Sequence, residues 1–138
     1  MNKDSSIGIF DSGIGGLTIL QKIRELLPRE NIIYYGDWKN NPYSEKSRKD
    51  IQEFSVNIME FLLKNNCKGV VIACSIFSAA SLEFLRERYN VPIIGMIDGG
   101  VKAAILESEN KKIAVMGSDF TINSNIYKEN IKKVCPEA

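Results

Sequence analysis

The sequence predicts an α/β fold: three layers, with a mostly parallel sheet carrying helices on both faces. Two observations lead there. Short runs rich in Val and Ile alternate with longer segments whose apolar residues recur at helical spacing. The strand-like runs are continuously apolar, as in sheets buried on both sides, and every link between them is long enough to be a helical crossover.

The elements follow in order. Ser6 to Phe10 is a short strand that stops at Asp11. Gly13, Gly15 and Gly16 then lead into a helix over Leu17 to Leu27, where Leu17, Leu20, Ile23, Leu26 and Leu27 keep the period and Pro28 ends it. Asn31 to Gly36 reads as the second strand and Asp37 to Lys46 as a polar loop. Ser47 is placed to cap a helix through Asn65, with Ile51, Phe54, Ile58, Phe61 and Leu62 on one side. The third unit is a strand over Gly69 to Ala73 and a helix from Ser78 to Tyr89. The fourth is a strand over Val91 to Ile97 and a helix from Gly100 to Glu107. The fifth is a strand over Lys112 to Met116 and a helix from Ile122 to Val134.

Composition excludes several classes. Eighteen basic against seventeen acidic residues leave a formal charge of +1, too little for a broad field that would hold nucleic acid or an anionic membrane. With no histidine in 138 residues, neither a Ser-His-Asp relay nor a His-liganded metal site can be built. Cys67, Cys74 and Cys135 are odd in number and lie too far apart for a CxxC pair. They fit neither a disulfide framework nor a four-cysteine metal site, so a reducing compartment is expected. The amino-terminal stretch, with Asp4 and a four-residue apolar run, lacks the pattern of a signal peptide. No segment has the ~20 apolar residues of a membrane helix, so a cytoplasmic protein is expected.

In such folds ligands bind beyond the carboxyl ends of the strands. That rule selects Asp11 and Ser12, Asp37 to Ser44, Cys74 to Ile76, Asp98 and Ser118. The glycine-rich turn is not a dinucleotide fingerprint, because Thr18 stands where G-x-G-x-x-G needs glycine, and no G-K-[ST] follows. Two uses of it stay open. Its amides can approach a ligand carboxylate at a helix amino end, or Asp11 can simply cap that helix. Cys74, between a strand and a helix, stands where amides and the helix dipole favour a thiolate, with a buried core thiol as the alternative; Cys67 reads as core. Tyr43 can close over a small ligand or belong to a solvated turn. Lys102 and Asp98 are weaker candidates for the same crevice.

Several motifs together resemble glutamate racemase, of the aspartate/glutamate racemase superfamily. They are Ile9-Phe-Asp-Ser-Gly-Ile-Gly-Gly-Leu-Thr18, Tyr35-Gly-Asp37, Pro42-Tyr43, Lys46-Ser47, Val71-Ile-Ala-Cys74, Pro92-Ile-Ile-Gly95 and Thr121-Ile122. The resemblance implies cofactor-independent racemisation of glutamate, supplying D-glutamate for peptidoglycan, with two cysteines on opposite faces of the substrate α-carbon. It implies Cys74 as the first of these, with Asp11 assisting it. It also implies substrate contacts from Asp11, Ser12, Pro42, Tyr43, Ser44, Ser75, Ile76 and Thr121, and no metal. Ser75-Ile76 replaces the family's Asn-Thr, Ser44 its glycine, and Asp98-Gly99-Gly100 its Glu-Pro-Gly.

The family's second cysteine falls beyond residue 138. The expectation is therefore an amino-terminal half: residues 1–97 as a first lobe and 98–138 as the start of an incomplete second, inactive alone or self-associating. The alternative is a catalytically dead relative that binds a small acidic amino acid or a protein partner.

Overall fold

The computed structural model describes residues 5–138, so the observation on Asp4 lies outside it. The first strand, β1 (Ser6–Asp11), leads through the glycine turn into α1 (Leu17–Leu26) and then β2 (Ile32–Gly36). A single 3-10 turn, Tyr43–Glu45, precedes α2 (Arg48–Lys64). Then come β3 (Cys67–Ile72), α3 (Ser75–Arg88), β4 (Ile93–Gly95), α4 (Met96–Glu107), α5 (Asp119–Asn123) and α6 (Ile126–Val134).

The four strands form one sheet in the order β2-β1-β3-β4, and every pair is parallel. Placing β2 and β3 on opposite sides of β1 reverses the direction of winding, and right-handed crossovers then send α1 to one face and α2 and α3 to the other. The packing follows that rule. Phe10, Ile33, Tyr35, Val70, Ile72 and Ile93 join Ile51, Ile58, Met59 and Leu62 of α2 and Phe77, Leu82 and Leu85 of α3 in the larger core. On the other face a Cβ at Gly16, where α1 starts, would meet Tyr34 and Ala73, which places α1 there. That face is thinly covered: Ile94 of β4 is 58% exposed and Leu26 of α1 is 73% exposed.

Local chemistry explains the strongest elements. Ser47 caps α2 reciprocally: its Oγ accepts from the Asp50 amide at 3.2 Å, and Asp50 Oδ2 accepts from the Ser47 amide at 3.1 Å. The Ser47 hydroxyl, which also donates to Asp50 Oδ2 at 2.6 Å, and then the Ser47 amide hold the Asp50 carboxyl below its usual pKa. Helix α3 is buried on several sides because it serves two clusters. Ala80 belongs to the main core, while Ala79 packs with Ile97, Val101 and Ile131 in a second. Ser78 joins it to the next unit, donating to Ile72 O at 3.3 Å and accepting from the Met96 amide at 3.3 Å.

The structure corrects five boundaries. Helix α3 starts at Ser75, three residues before the expected Ser78, so Cys74 is its N-cap residue. Cys67 opens β3 instead of lying between elements. Strand β4 ends at Gly95, and Met96 and Ile97 already belong to α4. The helix expected over Ile122 to Val134 is two, α5 and α6, divided at Asn125, whose backbone is left-handed at φ 56°. The strand expected over Lys112 to Met116 does not form. Ile113 and Val115 face the second cluster and Met116 faces solvent, the burial alternation of a strand, but this backbone pairs with no strand among the described residues.

Phe77 sits at the hub of the main core, its ring 5.1 Å from Phe10 and 4.8 Å from Tyr43, centroid to centroid. Replacing it by Ala leaves a cavity between strand, loop and helix. Urea denaturation of Phe77→Ala should show a loss of about 3–5 kcal/mol.

Candidate active site at the carboxyl edge of the sheet

The parallel register brings the strand ends to one level. Asp11 lies opposite Gly36, and Phe10 opposite both Tyr35 and Ile72. Just beyond the ladder, the Asp37 amide donates to Asp11 O at 2.9 Å and the Ala73 amide to Phe10 O at 2.8 Å. Three loops therefore leave the sheet side by side.

Asp11 is buried, 5% exposed, and its Oδ2 accepts from the amides of Gly13 and Gly16, both at 3.1 Å. Asp11 therefore closes the turn before α1, whose N-cap residue is Gly16 with no side-chain cap, and the amides of Gly13 and Gly16 are taken by Asp11 instead of being open to a ligand carboxylate. The packing tolerates only glycine at two points. A Cβ at Gly16 would stand 2.8 Å from Asp11 Cβ and 2.9 Å from Ala73 Cβ, and one at Gly36 would stand 2.7 Å from Gly13 O.

Cys74 is 7% exposed and hydrogen-bonds through Sγ to Ser12 Oγ at 3.3 Å, the two residues being 62 apart in sequence. As N-cap of α3 it lies beside the first amides of the helix, which have no partner inside it. The polar groups beside the sulfur are therefore the free amides of that first turn and a serine hydroxyl that can turn its proton toward sulfur. Ser75 and Ile76, half-buried, form the start of that first turn.

The third loop contributes a buried polar pair. Tyr43, 2% exposed, donates its hydroxyl to Asp37 Oδ2, and Asn40 Nδ2 donates to the same oxygen at 2.7 Å. Burial, and then the hydrogen bond with the Asp37 carboxylate, push the Tyr43 phenol well above its usual pKa. Neighbouring Pro42 and Ser44 are exposed, Pro42 following a cis peptide bond from Asn41.

Tyr34 reaches the same place from β2, donating to Gly13 O at 2.9 Å. Burial raises its pKa to about 12, with the charges of Asp11 and Cys74 adding to the shift, so all three groups share one electrostatic environment. Neither Tyr34 nor Asn41 was singled out from the sequence. Asn41 stands immediately before Pro42 in the loop already marked, and Tyr34 stands one alternation away from core residues.

The structure gathers Asp11, Ser12, Cys74, Ser75 and Ile76, with Pro42, Tyr43 and Ser44 on the adjoining loop. Thr121 is buried in α5 with its hydroxyl 3.1 Å from Ser118 Oγ, beside a cavity of about 360 Å³ lined by Ile113, Val115 and Ile131, while its α5 neighbours Asp119 and Phe120 line another cavity with Ser44. Asp98 follows β4 only after α4 has begun. It lies in the first turn of α4, 3.6 Å from Arg86. Lys102 is exposed on α4. Among the described residues, no three Cys, Asp or Glu side chains converge as metal ligands, and no helix is long and apolar enough to cross a membrane. Cys67, Cys74 and Cys135 are unpaired and buried.

The carboxyl edge of an all-parallel α/β sheet thus gathers an acid, a hydroxyl and a thiol. The sequence profile described as Asp/Glu/Hydantoin racemase matches residues 7–137, and the chain belongs to that family. It is 46% identical over 136 residues to a glutamate racemase of Fusobacterium nucleatum, an alignment covering 98% of this chain and 52% of the relative. The crystal structure of a glutamate racemase isoform from Bacillus anthracis superposes with a TM-score of 0.94 at 39% identity, covering 98% of this chain and 51% of that one. The glutamate racemase of Francisella tularensis, solved in complex with D-glutamate, gives a TM-score of 0.90 at 38% identity, covering 99% and 51%. The chain thus spans about half the length of the relatives it matches.

The raised Tyr34 pKa has a thermodynamic sign. An unfolded tyrosine ionises near pH 10 and the folded one near 12, so the fold favours the neutral phenol. That contribution is intact below pH 10 and disappears as the pH climbs toward 12. Chemical denaturation across this window should show falling stability, with a shallower fall in Tyr34→Phe.

Proposed function

We infer that this chain is the part of a glutamate racemase that carries one of its proton-transferring thiols. The observation that supports it best is the contact of Cys74 with Ser12 at the start of α3, beside buried Asp11. A thiolate in that position removes the α-proton of a bound amino acid and, as a thiol, returns one. General acid–base transfer of this kind contributes ~10² to 10⁴ in rate. As the resemblance implies, this reading invokes no cofactor, and the proton moves directly between carbon and sulfur.

In this reading Cys74 is the catalytic base on one face of the α-carbon. Asp11 holds the glycine turn and supplies negative charge beside the thiol, favouring its return to the neutral state after each transfer. Ser12 donates to the thiolate. Backbone amides of Ser75 and Ile76, with the loop of Pro42, Tyr43 and Ser44, receive the substrate carboxylates. Thr121 stays a candidate contact only through the part of the site that residues beyond α4 build. The product would serve peptidoglycan synthesis in the cytoplasm.

The same reading divides the chain at about residue 97. The fully buried members of the main core end at Ile93, and Val101 and Ile131 belong to the second cluster, in line with residues 1–97 as a first lobe and 98–138 as the beginning of a second, with Ala79, Ile97 and Phe120 packing between the two. Exposed Ile94 and Leu26 on the α1 face support self-association of the isolated chain.

The test is α-proton exchange in D₂O, followed by proton NMR together with optical rotation, for both enantiomers of glutamate and of aspartate. Glutamate should lose its α-proton signal, and Cys74→Ala should remove that exchange. Exchange of one enantiomer without inversion identifies a lone base. Exchange with inversion means that a second acid is supplied by this chain or a second copy. If glutamate binds but no proton exchanges, the chain is a binding relative and the catalytic assignment of Cys74 is wrong.

A further inference from the structure

The contact between Ser12 and Cys74 joins a flexible glycine turn to a helix start, and such a contact persists only if something holds the turn. The glycines cannot do so, since they supply freedom rather than restraint. Asp11 fixes the amide of Gly13 from inside the turn. The two carbonyls on either side of that amide are held from outside, both from the β2 side of the sheet. Tyr34 donates its hydroxyl to Gly13 O at 2.9 Å, and Asn41 donates Nδ2 to Ser12 O at 2.7 Å. Gly36, at the end of β2, allows the close backbone approach these bonds need.

We propose that Tyr34 and Asn41 are positioning residues, a two-pronged clamp on the successive backbone carbonyls of Gly13 and Ser12 that keeps the Ser12 hydroxyl on the Cys74 sulfur. This rests on Cys74 being the working thiol, and it adds the residues that set its hydrogen bond. The clamp reaches from β2 and its loop, Cys74 from the start of α3 just after β3, and Ser12 from the β1 turn between them. A shift of the turn by about an ångström breaks a hydrogen bond of this length. Neither prong touches Cys74 through a hydrogen bond of its own, so each acts through Ser12.

Ser12 bonds Cys74, and Tyr34 and Tyr43 lie near enough for the charge of Cys74 to help raise their phenol pKa values, with Asp11 also acting on Tyr34 and Asp37 on Tyr43; both phenols are neutral at neutral pH. Removing the Tyr34 hydroxyl therefore leaves the charge around the sulfur unchanged. It acts only by freeing the turn.

A double-variant cycle on the full chain tests this. The variants are Tyr34→Phe, Asn41→Ala, Ser12→Ala and each clamp variant combined with Ser12→Ala. The first readout is the pH profile of alkylation at Cys74, resolved from Cys67 and Cys135 by peptide mass spectrometry; the second is α-proton exchange of glutamate. Tyr34→Phe should move the alkylation midpoint up by about one pH unit, equivalent to about tenfold in the thiolate equilibrium, and slow exchange by a similar factor. In the Ser12→Ala background the same change should add almost nothing.

An unchanged Cys74 profile in Tyr34→Phe and Asn41→Ala, or an equally large shift without Ser12, overturns the clamp. Asn41 is exposed, so Asn41→Ala carries the test if Tyr34→Phe does not fold. If the parent chain exchanges no α-proton, the racemase reading fails, while the alkylation cycle still decides whether the clamp exists.

Discussion

One oxygen of Asp11 accepts the amides of Gly13 and Gly16, and the rest of the site depends on that pair of bonds. They close the turn after β1 tightly enough for α1 to begin at once and for Ser12 to project toward β3. The buried carboxylate costs free energy to desolvate, and its two amide partners offset much of that cost. Without them the turn would have no reason to fold back over the strand end. The parallel register then brings Ala73, and with it Cys74, to the same level.

Helix α3 is the second organising element. Its first residues frame the thiol, while its body is the common wall of both apolar clusters, with Ala79 facing one and Ala80 the other. Small residues there let neighbouring elements approach closely. Packing in the core is thereby coupled to the position of the sulfur: Phe77, three residues past Cys74, is fixed by Phe10 at the end of β1 and by Tyr43 on the third loop.

Much of this was legible in the sequence. Continuous apolar runs at Ile7 to Phe10 and Val70 to Ile72, alternating with helical periods, give a parallel sheet, and the strand-end rule then selects Asp11, Ser12 and Cys74 without reference to any relative. What stayed hidden depends on partners distant in the chain. Ile113 and Val115 have a strand's alternation, but a strand also needs a neighbour to pair with, and periodicity does not supply one. Ser75 to Phe77 read as a loop because the helix start is set by the sheet edge and by the N-cap role of Cys74, not by a capping side chain. Tyr34 and Asn41 escaped notice because their contacts reach 21 and 29 residues back to the glycine turn. The resemblance to glutamate racemase held across the whole alignment, and the geometry shows which of its motifs meet in space.

The most direct measurement is protection of Cys74 from alkylation by D- and L-glutamate, read residue by residue by mass spectrometry. If the thiol faces a bound amino acid, glutamate will slow alkylation at Cys74 and leave Cys67 and Cys135 at their unliganded rates. Equal rates at Cys74 with and without glutamate, at concentrations where binding is shown independently, would contradict the placement of the substrate over this sulfur.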